Sequence, residues 1–151
     1  MFGGLTLGVH ELGHLLFSPF GQWLMVAGGS LTQVAAPVAA AAVLARQGDL
    51  FGIAVTGTWE AYSLANLSAY IGDARAQALQ LVSVSDSDEI IHDWNYLLDH
   101  AHLLTWDTRL AGLVRFFGAL VLLASLALGA WQCVRIATGD PGSLRGPQSD
   151  V

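Results

Sequence analysis

The sequence predicts an all-α membrane protein: a polytopic helix bundle of three to four transmembrane helices, plus a polar loop carrying a short interfacial helix. Three observations carry that expectation. Hydrophobic residues make up 54% of the 151-residue chain and charged residues 12%, against roughly 25% charge in an ordinary soluble domain, and mean hydropathy is +0.53. Four apolar segments can be drawn, at about 1–17, 23–45, 50–71 and 113–136, where a crossing helix needs about 20 apolar residues. The polar residues inside two of these segments recur at helical spacing. With no internal repeat, residues 1–137 read as a single membrane-embedded domain.

The first segment, 1–17, is short for a crossing. It can span a thinned region, lie partly embedded, or continue a helix that begins upstream. A signal peptide is not expected, because there is no basic n-region and a polar triad interrupts the apolar run. That triad is His10, Glu11 and His14, an H-E-x-x-H pattern. On a helix, residues four apart share a face, so both imidazoles can address one metal ion while Glu11 sits beside them. Ionisable groups in a spanning helix cost about 2.5–3.5 kcal/mol each on insertion scales, so their presence marks function.

The second segment closes at Arg46, Gln47, Gly48 and Asp49. The third carries Thr56, Trp59, Ser63, Asn66, Tyr70 and Asp73 at spacings of three and four, a polar stripe that belongs in the bundle interior. Catalytic zinc takes three protein ligands and keeps a fourth position open, and Asp73, delivered at the end of this helix, is the first choice for the third. Capping the helix or pairing with Arg75 are its structural alternatives. Glu60 lies one position off the stripe, as an outer partner of the site or a wetted surface acid.

The polar interval 73–108 holds the acidic run Asp86 to Glu89, read as a solvated loop. His92 and Asp93 follow, and His92 is a second candidate for ligand or transition-state donor. Trp94, Leu97, Leu98, Ala101 and Leu104 form one apolar face of a short helix on the membrane surface or over the site, with His100 and His102 outward. After the fourth segment, the Gly, Pro and Ser tail 138–151 reads as disordered.

At these residues the chain resembles the site-2 protease family of intramembrane zinc metalloproteases. His10, Glu11, Gly13 and His14 match its H-E-x-G-H motif. Gly29, Ser30, Leu31, Thr32 and Gln33 are similar to its G-P-x-x-N motif, with Ser for Pro and Gln for Asn. Asn66 and Asp73 follow the order of its later Asn and ligand Asp, although Ala74 stands where the family has Gly. The resemblance implies a multi-pass protein of the cytoplasmic membrane that binds zinc (Zn2+) and cleaves a membrane protein or peptide.

The mechanism expected of such a site uses a zinc-activated water, with Glu11 as general base and Gln33, Asn66 or His92 as oxyanion donor. Gln33 has an alternative use as interhelical glue beside Pro37, and Trp59 and Tyr70 as packing anchors. A non-catalytic metal-binding or pseudoprotease membrane protein is the competing class. Five histidines are too few for a di-iron membrane oxygenase.

Other classes are excluded more simply. The six basic residues, all Arg, face twelve acids for a net charge of -6, which leaves no basic footprint for nucleic acid. The arginines divide evenly between the two sides of a four-crossing topology, so orientation is not set by charge. Cys133 is alone and forms no internal disulfide.

Overall fold

The computed structural model describes residues 2–79 and 92–139. Among them all regular structure is helical: α1 (Gly3–Phe17), α2 (Gln22–Arg46), α3 (Leu50–Gly72), α4 (Asp93–His100) and α5 (Asp107–Ala137). Single 3-10 turns at Ser18–Phe20 and Leu104–Trp106 precede α2 and α5. The all-α expectation therefore holds. Two stretches, Gln22–Arg46 and Leu104–Ala137, are long and apolar enough to cross a membrane. With 15 residues, α1 extends only about 22 Å at 1.5 Å per residue, short of the hydrocarbon core. The acidic run Asp86 to Glu89 and the tail from 140 onward lie outside the described residues.

Most boundaries agree with the sequence to within two residues, but α5 begins six residues earlier than its apolar run. Nothing in Asp107–Gly112 breaks a helix, and this first turn is a polar collar. Asp107, buried, accepts from its neighbour's amide, Thr108 N (2.6 Å), and from Arg75 Nε (2.6 Å). Arg109 lies over the Trp106 ring at 5.1 Å. Hydropathy alone does not see such an extension.

α1 packs on α2, α2 on α3, and α3 along α5, the most extensive of the pairings. Small residues let α3 and α5 approach closely: Gly118 faces Leu64 and Ala61, Gly57 faces Ser125, and Gly72 faces Ala111. Asp49 opens α3 by accepting from Gly52 N at 2.8 Å, satisfying one of the free amides of a helix start. The short helix foreseen in the polar interval is α4, and it packs on protein. Leu97 joins Val26 and Ala27 of α2 in one cluster, and Trp94 packs against Leu67, Ile71 and Ala111 of α3 and α5. His100 and His102 are exposed.

The α1–α2 contact has no room for a side chain at two glycines. A Cβ on Gly13 would collide with the Gly28 carbonyl, and one on Gly28 would lie 2.7 Å from the Gly13 oxygen. Gly13 is the glycine of the H-E-x-G-H run, so the run encodes a backbone-to-backbone approach as well as the cluster of His10, Glu11 and His14. Gly13→Ala is expected to destabilise the protein by about 1–3 kcal/mol, because the neighbour is backbone and cannot rotate away. Gly8→Ala, with nothing within 4 Å of the new methyl, is expected to be neutral or mildly stabilising. Thermal unfolding of the two variants in detergent measures the difference.

Candidate metal centre

The H-E-x-x-H run forms one turn of α1, which brings the rings of His10 and His14 to a centroid separation of 4.8 Å, edge to face. Each ring is held through its Nδ1. His10 Nδ1 is 2.9 Å from Gln33 Oε1, and His14 Nδ1 is 2.9 Å from the Met25 carbonyl. Gln33 Nε2 donates to the Ser63 carbonyl at 3.0 Å, which fixes the amide so that its oxygen faces His10. Both partners of Nδ1 are acceptors, so Nδ1 carries the proton in each ring. In the neutral rings both Nε2 atoms then present lone pairs, as metal-ligating histidines do.

What stands between these two nitrogens is Asp93. Its Oδ2 lies 3.1 Å from His10 Nε2 and 3.3 Å from His14 Nε2. One carboxylate oxygen thus faces two electron-rich nitrogens, which demands protons or a cation between them. For zinc with ligands at about 2.0–2.2 Å, tetrahedral geometry puts neighbouring ligand atoms about 3.3–3.6 Å apart, close to the distances seen. Burial alone would push the Asp93 carboxyl up, but its contacts with His10 and His14 hold it below the usual carboxylate range. The donor set, two imidazoles and one carboxylate with outer hydrogen bonds already in place, fits zinc.

Glu11 completes the cluster. Ligand atoms of His10, Glu11 and His14 all lie within 4.8 Å of one another. Unlike its neighbours, the half-buried Glu11 carboxylate makes no hydrogen bond or ion pair among the described residues, so it is free to take a proton. Gly29 forms the wall behind the rings: a Cβ there would come within 2.5 Å of His14 Nε2 and 2.8 Å of His10 Cε1. This is the physical content of the Gly29–Gln33 motif: close approach at the glycine, and a fixed tautomer through Gln33. Gln33 also bridges α2 to α3, so one side chain both holds the His10 ring and ties two helices together.

Part of the polar stripe of α3 meets neighbouring helices. Trp59 Nε1 donates to Thr6 Oγ1 (3.0 Å), and Tyr70 OH accepts from the Asp93 amide (3.0 Å). Glu60 is buried, and its Oε2 finds no partner among the described residues. Asp73, however, makes no contact with His10 or His14. It accepts from the amides of Ala78 (2.9 Å) and Leu79 (3.0 Å) and lies 3.3 Å from His92 Nε2. Burial pushes its carboxyl up, but these donors outweigh that and hold it low. Pairing with Arg75 does not occur either, since Arg75 bonds Asp107.

His92 is occupied at both nitrogens. Nδ1 accepts from Asn95 N at 3.2 Å as the cap of α4, and Nε2 faces Asp73. It therefore has no nitrogen left for a metal or a substrate. Of the three expected oxyanion donors, Gln33 is likewise fully used. Asn66 differs: its Oδ1 receives Gln33 Nε2 at 3.4 Å, the residue is exposed, and its own N–H pair has no acceptor among the described residues.

Asp93 is the residue that the structure brings to His10 and His14 and that the sequence does not single out; its signal there is slight, an acid next to a histidine at the start of a short amphipathic helix. Comparisons with protein-family models, with curated proteins and with solved structures gave no match to this chain.

Proposed function

We propose that this protein is a membrane-embedded zinc-dependent hydrolase, an intramembrane metallopeptidase similar to the site-2 proteases. In this reading His10, His14 and Asp93 are the metal ligands and Glu11 is the general base. The observation that carries it is the approach of one carboxylate oxygen, Asp93 Oδ2, to both His10 Nε2 (3.1 Å) and His14 Nε2 (3.3 Å), beside the Glu11 carboxylate, which has no partner among the described residues.

Zinc held there would polarise a substrate carbonyl and acidify water. The remaining work falls to the chain. Glu11 accepts a proton from the attacking water and returns it to the departing nitrogen. Gln33 and the Met25 carbonyl keep both rings in the Nδ1–H form, so Nε2 stays a ligand. Asn66 Nδ2 is the donor available to an oxyanion. Gly29 keeps the space behind the imidazoles clear.

The membrane setting is supported by what the helices expose. Leu12, Leu15 and Leu16 of α1, Phe51 and Val55 of α3, and Phe116, Leu123 and Val134 of α5 all face outward, far more apolar surface than a soluble monomer leaves uncovered. In this reading α2, α3 and α5 cross the bilayer and α1 is embedded, which puts the centre at membrane depth and makes a membrane protein or peptide its substrate.

Elemental analysis of the full chain in detergent tests the proposal. Near-stoichiometric zinc, lost in His14→Ala, is expected. Metal-free protein from a chelator-free preparation that stays metal-free on zinc addition would overturn the reading.

A further inference from the structure

Asp93 must be held to a few tenths of an ångström to complete a metal centre, yet it sits at the first position of an eight-residue helix. A helix that short is not stable by itself, so something outside α4 must fix it. Besides the Asp93 contacts with His10 and His14, four hydrogen bonds that involve side chains tie residues 92–95 to the rest of the protein. Two of them reach neighbouring helices: the Asp93 amide donates to Tyr70 OH (3.0 Å), and Trp94 Nε1 donates to Ser30 Oγ (3.1 Å). The other two reach the turn after α3: Asn95 Nδ2 donates to the Ala74 carbonyl (2.8 Å), and His92 meets Asp73 (3.3 Å).

The His92–Asp73 contact is the one with a built receptor. His92 Nδ1 accepts the Asn95 amide, so in the neutral ring Nε2 carries the hydrogen and donates it to Asp73 Oδ2. Asp73 is itself immobilised by the Ala78 and Leu79 amides. His92 is thus cap and tether at once: one nitrogen starts α4, and the other ties that start to the end of α3. His92 is buried, 5% exposed, and its ring lies tilted against that of Tyr70 with centroids 4.4 Å apart, which keeps the tether out of water.

We infer that Asp73 and His92 form a latch that positions Asp93 against His10 and His14. Both are positioning residues that touch neither metal nor substrate. The inference rests on the proposed metal centre for its consequence but not for its geometry. The latch couples the end of α3 to the centre: whatever releases Asp73 from His92 withdraws the third ligand and leaves the two-histidine pair behind.

Two readouts on the full chain in detergent test this. The first is hydrogen exchange at the amides of α4, which reads the latch whether or not metal binds. The second is zinc affinity by competition with a chromophoric chelator. Asp73→Ala and His92→Ala are expected to speed exchange in α4, leave α1 and α2 unchanged, and weaken zinc binding about 10- to 100-fold. His92→Asn keeps a good capping side chain but is too short to reach Asp73. It is expected to weaken zinc as much as His92→Ala, which separates the tether from the cap. Unchanged α4 exchange in Asp73→Ala would overturn the latch, and faster exchange with undiminished zinc affinity would overturn its link to Asp93. If the wild-type chain takes up no zinc while Asp73→Ala still loosens α4, the latch stands as a tether and the metal reading falls.

Discussion

Glu11→Gln is expected to abolish hydrolysis while leaving zinc in place, lowering turnover by about 10²–10⁴-fold, the range for loss of a positioned general base. Glu11 lies beside the His10 and His14 pair but makes no hydrogen bond or ion pair among the described residues that would shape it. The amide is nearly isosteric and cannot accept the proton. Turnover of quenched membrane-segment peptides in micelles, run beside a zinc measurement on the same sample, checks both halves. A variant that keeps metal and loses turnover identifies a hydrolase. Equal turnover in variant and wild type would remove Glu11 from the chemistry, and a zinc centre without turnover in either would favour a non-catalytic metal protein.

Asp93→Ala is expected to weaken zinc by more than the roughly 100-fold that loss of an outer partner causes, because a ligand is removed and two imidazoles alone remain. Asp73→Ala is expected to fall inside that outer range. The comparison separates the two acids by magnitude: one oxygen stands 3.1 Å and 3.3 Å from the His nitrogens, while the other is turned away onto backbone amides. Chelator competition on the two variants measures it. Parity between them, or a larger loss in Asp73→Ala, would restore Asp73 as the third ligand.

The difference between these two acids also shows how far the sequence could be read. The stripe that runs from Thr56 to Asp73 at steps of three and four does meet the neighbouring helices: Trp59 bonds Thr6 of α1, Asn66 meets Gln33 of α2, and Tyr70 accepts from Asp93 of α4. Periodicity, however, reports a face and not a partner. At the last step the helix ends, the backbone of Ala78 and Leu79 folds back, and its amides claim the carboxylate. Gln33 was legible as either oxyanion donor or interhelical glue. The side chain serves His10 with its oxygen and α3 with its nitrogen, a division that only the packing of three helices reveals.

By itself the sequence determined the helices, the apolar faces and the His10, Glu11 and His14 cluster. Each of these depends on residues within a turn or two of one another, where the 3.6-residue repeat sets geometry without help. The tertiary structure decided what lies across from them. Asp93 meets His10 over a separation of 83 residues, through an interval whose composition reads only as polar. No local rule spans that distance. The pairing follows from how α4 seats on α2 and α3, with Leu97 against Val26 and Ala27 and His92 against Asp73, so the proposed third ligand is a product of packing rather than of pattern.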